Sequence, residues 1–198
     1  MDMFIVEKTS LEEDLETLKL VDNLIKHLEE KKELEAKALL YELTPLLPVK
    51  FIEQISIKYP HTMSSLAVEV KKLEDMRKEF VGKLTAHYEE LKRIYETEAR
   101  KVKREGLSED LRCGAAIEAA KYLNKLNISA IAYGIQIEEK GHVVVYIKHK
   151  TGHYILDLAK KQFGGTDIPA GFLYVISLYP YRKQITRVVG EIESSCPR

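Results

Sequence analysis

A cysteine, a histidine and an aspartate stand in this chain where the three could work together. A nucleophilic cysteine must ionise near neutral pH, which the positive end of a helix and a neighbouring imidazolium both favour. Cys113 lies in Ser108-Glu109-Asp110-Leu111-Arg112-Cys113-Gly114, just ahead of the small-residue run Ala115 to Leu123. If the helix proper starts at Cys113-Gly114, the thiol sits at the positive end of the macrodipole and Gly114 leaves room for a substrate carbonyl. If it starts at Ser108, Cys113 falls in the second turn as a small buried hydrophobe. His142 opens the strand-like run Gly141 to Ile147, and Asp157 closes the run from His153. A two-residue turn at His149-Lys150 would set His142 directly opposite Asp157. A four-residue turn, His149 to Gly152, would leave them diagonal on one face, and a three-residue turn, Lys150 to Gly152, would part them onto opposite faces. On one face they make a general base and the carboxylate that orients it.

A helix-capping Cys, a strand that begins with His, and a following strand that carries Asp with Gln-Phe close behind resemble the papain-like and transglutaminase-like thiol superfamily. Within it the pattern is most similar to the small glutamine-deamidase and papain-fold toxin or effector domains. The matching residues are Cys113, His142 and Asp157, with Gln162-Phe163-Gly164 after the acidic residue; they cover residues 106–180, under half of the chain. The resemblance implies attack of a Cys113 thiolate on an amide carbonyl, with His142 as base and then acid and Asp157 fixing the imidazole. Water resolving the thioester gives peptide cleavage or side-chain deamidation, and an amine gives transfer. The pattern also departs from papain-type peptidases. Leu111-Arg112 stand where a glutamine usually precedes the cysteine, so the oxyanion donors fall to the Cys113 backbone N–H with Gln136 or Gln162 as the second. The implied partner is a protein or peptide substrate, and no cofactor is called for.

The remaining candidates read as surface or filler. His27, His61 and His87 fall in helical sequence, and His149 and His153 flank a turn. Together with Cys113 and His142 they fit no metal-ligand spacing, so no metal is expected. Lys101, Lys103 and Arg104 are interrupted by Glu98 and Glu105, a solvated helix end. Lys160-Lys161 read as loop surface, and Cys196, in Ser194-Ser195-Cys196-Pro197-Arg198, as a frayed tail.

The elements that must position these residues change character at Gly106. Nine of the ten glycines follow Glu105, and only Gly82 precedes it. Before it, Ser10 and Glu13 have capping-box spacing, and Leu11, Leu15, Leu18, Val21, Ile25 and Leu28 recur at steps of three and four, an amphipathic helix. Pro45 and Pro48 turn the chain. From Leu66 through Val70, Leu73, Phe80, Leu84, Leu91, Tyr95 and Val102 a single helix of roughly 40 residues is expected. It would fold back on the first helix as a hairpin or bundle, or project as an arm that grips another protein or pairs as a coiled coil with a second copy of the chain in a homo-oligomer. After Gly106 the sequence reads as one helix and then strands at Ile128 to Glu138, His142 to Lys148, His153 to Leu158 and Phe172 to Tyr179. The expected fold class is α+β: a helical hairpin or bundle over 1–105, then a small papain-like domain, a helix on an antiparallel sheet, over 106–198.

Composition bounds the function. With 198 residues and 45% hydrophobic content the chain can bury a core. Lys plus Arg and Asp plus Glu both number 31, the sum of a −3 helical part and a +3 sheet part, so no bulk field draws it to nucleic acid or to a membrane surface. No long apolar run and no signal-peptide pattern appears, and a cytoplasmic location, or delivery into another cell without a classical signal, is expected. Two cysteines make no disulfide scaffold. Seven amide side chains, no Trp and 31% charged residues resemble thermophile usage. A second reading needs no chemistry: a helical interaction protein whose sheet domain is an inert version of the thiol fold.

Overall fold

The computed structural model describes residues 9–63, 67–105, 111–158 and 174–194. It is α+β, with the helices first and a five-stranded antiparallel sheet in the C-terminal part. Thr9 caps α1 (Ser10–Thr17), one residue earlier than the Ser10 spacing suggested: its hydroxyl accepts from Glu12 N–H while the Glu12 carboxylate accepts from Thr9 N–H. A 3-10 turn, Leu18–Leu20, joins α1 to α2 (Val21–Glu29), so the expected first helix is one rod with a tightened middle. Lys31, at φ 57°, reverses the chain into α3 (Glu33–Leu43). Pro45 and Pro48 turn it again, as expected, into α4 (Val49–Lys58), and Pro60 opens the short α5 (Pro60–Met63).

The expected 40-residue helix is two. α6 (Ala67–Ala86) and α7 (Tyr88–Glu105) meet at His87, whose Nδ1 lies 2.8 Å from Tyr122 Oη on α8 (Leu111–Lys125). From Phe80 onward its apolar stripe finds α8: Phe80, Leu84 and Leu91 are buried with Ala115, Ala116, Ala119 and Leu123. Small residues on α8 allow that close approach on more than one side.

The sheet comprises β1 (Ser129–Ile137), β2 (Lys140–His149), β3 (Gly152–Asp157), β4 (Tyr174–Ser177) and β5 (Ile185–Glu191), in the order β4-β3-β2-β1-β5. The last expected strand is shorter than its sequence run: Leu178–Tyr181 forms a single helical turn, α9, and residues 172 and 173 lie outside the described residues. β5, which the strand pattern did not suggest, pairs with β1 across two register shifts.

Helices cover both sheet faces. Leu11, Leu24, Leu28, Leu40, Leu43 and Ile52 of the N-terminal helices pack on Tyr133, Ile135, Val144, Tyr146 and Ile155. On the opposite face α8, with Phe80, Leu84 and Leu91, packs on Ala130, Ala132, Val145, Ile147 and Leu156. Each core therefore draws on residues from both sides of the 105/106 division. α6 serves both, Val70 in the first core and Phe80 in the second. Between them the buried Arg77 donates to three carbonyls, Thr151 O at 2.5 Å, Leu47 O at 2.6 Å and Thr44 O at 2.7 Å. One guanidinium fork thus ties α6, the α3–α4 connection and the β2–β3 turn together.

Candidate active site

The β2–β3 ladder pairs Val145 with Leu156, Tyr146 with Ile155 and His149 with Gly152. This is the register expected for the four-residue turn, so His142 and Asp157 are diagonal neighbours on one face. The side chains close that gap. His142 Nε2 lies 2.9 Å from Asp157 Oδ2, and the two side chains are 0% and 2% exposed. Facing a carboxylate, Nε2 is the donor of this bond, and the other ring nitrogen, Nδ1, is buried. Tyr181 of α9, fully buried, donates its hydroxyl to the same Asp157 oxygen at 2.9 Å. Sequence reasoning missed Tyr181. It stands in Tyr179-Pro180-Tyr181, and nothing in its spacing to His142 or Asp157 marks it.

Cys113 does not join them. Alternation along β2 sends His142, Val144 and Tyr146 to one face and Val143, Val145 and Ile147 to the other. Val144 and Tyr146 pack against the N-terminal helices, with Ile155 of β3 and Tyr181. Cys113, 4% exposed, belongs to the α8 layer with Val145, Ile147 and Leu156. The β1–β2 register runs without a shift from Ser129↔Lys148 to Ile137↔Lys140, so no bulge turns His142 round to the α8 face. The expected triad is thus divided by the sheet: His142 and Asp157 are together, and the thiol position is behind them.

Two further observations bear on the role expected of Cys113. It is disulfide-bonded, and a disulfide sulfur holds no thiolate to attack a carbonyl. The sequence's other cysteine, Cys196, lies outside the described residues. Gly114 does not hold space open for a substrate either: a Cβ built there would lie 2.7 Å from Glu98 Oε2 of α7, so the space is taken by a carboxylate. Glu98 is ion-paired with Lys101 at 2.5 Å and brings negative charge to the start of α8, where a thiolate needs the opposite.

Of the two glutamines considered for an oxyanion hole, Gln136 lies on β1 in the alternation of Ala130 and Ala132, on the α8 face and away from His142. Gln162, with Phe163 and Gly164, lies outside the described residues. Among the described residues no three His, Cys, Asp or Glu side chains are grouped to hold a metal ion, and no helix is long and apolar enough to cross a membrane. No family model, no curated protein and no solved structure matches the chain.

Proposed function

We propose that the protein is a hydrolase or acyltransferase acting at an amide carbonyl, in which His142 carries the proton, Asp157 orients it, and Cys113 is not the nucleophile. The observation behind this reading is the 2.9 Å hydrogen bond between His142 Nε2 and a buried Asp157. A carboxylate held on one ring nitrogen fixes the tautomer and aims the other nitrogen at a reacting group. Burying such a pair costs several kcal/mol, a cost an apolar strand would avoid, and strongly buried acid–base pairs concentrate at functional sites. The sequence resemblance to papain-like and transglutaminase-like enzymes supplies the substrate class, a peptide or glutamine side-chain amide. With the sulfur at position 113 engaged, the attacking group activated by His142 is water for hydrolysis or an amine for transfer.

A second reading, a non-enzymatic interaction module, is favoured by the enclosure of the His142–Asp157 pair together with the disulfide at Cys113. One experiment separates the readings. Ammonia release from, and cleavage of, a set of glutamine-containing peptides is followed for the wild type, Cys113→Ser and His142→Ala. The acid–base reading expects turnover that survives in Cys113→Ser and falls by about 10²-fold or more in His142→Ala. Loss in Cys113→Ser restores the thiol mechanism, and a wild type that turns over no peptide leaves the interaction module.

A further inference from the structure

Cys113, near the start of α8, is disulfide-bonded and packed in the core between α8 and the sheet. The sequence has two cysteines, so within one chain the partner of Cys113 is Cys196, which lies outside the described residues. The chain that leads to Cys196 is anchored in the same core. Ile192, just past β5, is buried in the cluster that holds Cys113, and its N–H donates to Ala132 O at 2.9 Å. Cys196 follows Ile192 by four residues, a span of about 14 Å at most. The bond therefore ties the chain that follows β5 to α8.

β5 is the strand that depends most on such a tie. Among the described strands it pairs with β1 alone, at the edge of the sheet, and two register shifts break its ladder. Val189 is 56% exposed. Beyond the ladder, Thr186 Oγ1 lies 3.0 Å from Gln136 O and from Glu138 O, and Glu191 accepts from Tyr133 Oη at 2.8 Å. β2 and β3, by contrast, are paired on both sides and buried on both faces.

We infer that Cys113 and Cys196 form a redox-sensitive clasp on β5. Oxidised, the bond holds the strand against β1; reduced, β5 opens and β1 becomes the edge of the sheet. Closing the loop from 113 to 196 restricts the open chain and so favours the docked strand. A dithiol performs the reduction. One of its thiolates attacks a sulfur of the pair, forming a mixed disulfide and releasing the other chain sulfur as a thiol. Its second thiolate then displaces the first chain sulfur, so the dithiol leaves as a disulfide and the chain keeps two thiols. α8 stays on the sheet, since Ala115, Ala119 and Leu123 remain packed with Ala130, Ala132 and Val145, and the opening is confined to β5.

The full chain tests this in two steps, with digestion under non-reducing conditions and then hydrogen exchange by mass spectrometry before and after dithiothreitol. Digestion is expected to release a peptide pair linking Cys113 to Cys196 from a chain of monomer mass. On reduction the amides of Ile185 to Ile192 should exchange at least about tenfold faster, while those of β2 and β3 change by less than about twofold. Reoxidation should restore the slow rate. Unreduced Cys196→Ser should match the reduced wild type, which separates loss of the bond from any other effect of the reductant. A bond from Cys113 to a second copy, equal exchange of β5 before and after reduction, or acceleration spread evenly over β2, β3 and β5 overturns the inference. No step involves His142, so the outcome is independent of the amide reading.

Discussion

His142 and Cys113 face opposite sides of one sheet. The strand that carries the histidine separates them, since its neighbours Val144 and Tyr146 pack on the N-terminal helices while Val143, Val145 and Ile147 pack on the α8 layer to which Cys113 belongs. Rotating a side chain cannot bridge that separation. Only a one-residue slip of β2 would, and it would turn every apolar residue of the strand to the wrong core.

The pair that does form makes an unequal prediction about stability. Asp157 accepts from both His142 and Tyr181 inside the protein. Asp157→Ala leaves two buried donors without that acceptor and should cost about 3–5 kcal/mol. Tyr181→Phe removes one donor and leaves the carboxylate bonded to His142, so about 1 kcal/mol is expected. Urea unfolding of the three proteins measures the difference.

Arg77 should be the most sensitive position in the helical region. Its three carbonyl acceptors come from the α3–α4 connection and the β2–β3 turn. Burial pulls its guanidinium below the ordinary arginine value, but it stays charged. Arg77→Lys keeps the charge and loses the fork, so both Arg77→Lys and Arg77→Met should lower unfolding free energy by about 2 kcal/mol or more. Equal stability of Arg77→Lys and the wild type would show that the charge alone matters.

His149 adds a pH dependence. Burial first, then the charges of Lys150 and Lys83, hold its imidazole below the ordinary value of 6.5. The ring stacks on Phe80 at 3.8 Å, and Nδ1 accepts from Thr151 N–H at 3.3 Å, which a protonated ring cannot do. The unfolded chain therefore binds this proton more readily than the folded one. Its contribution is full above the unfolded value and is lost as the pH falls through that value toward the lower folded one. His149→Gln should flatten the decline of unfolding free energy between about pH 7 and pH 5; an unchanged slope would place the dependence on other groups.

The strand pattern made β1 to β3 and the His142–Asp157 neighbourhood legible, because period two and a short turn leave few registers. The facing of Cys113 was not legible. Val143 to Ile147 is a continuous apolar run, buried on both faces from Val144 on, so it does not reveal which set meets a given helix. α8 is rich in alanine and buried on several sides, and it has no single stripe to point toward the sheet. The break at His87 was hidden because Leu84 and Leu91, seven residues apart, keep one face across it. β5 is a half-exposed edge strand with Arg187 and Glu191 in it and gives little apolar signal.

The central claim, that Cys113 and His142 do not act together, is tested most directly by alkylation. The protein is reduced, treated with one equivalent of iodoacetamide near pH 6, and the Cys113 adduct is followed by mass spectrometry in the wild type and in His142→Ala. The divided sheet predicts slow modification at rates equal within about twofold, because the imidazole never reaches the sulfur. A Cys113 that reacts faster than free cysteine, and slows about tenfold or more in His142→Ala, would contradict it and reinstate the thiol triad.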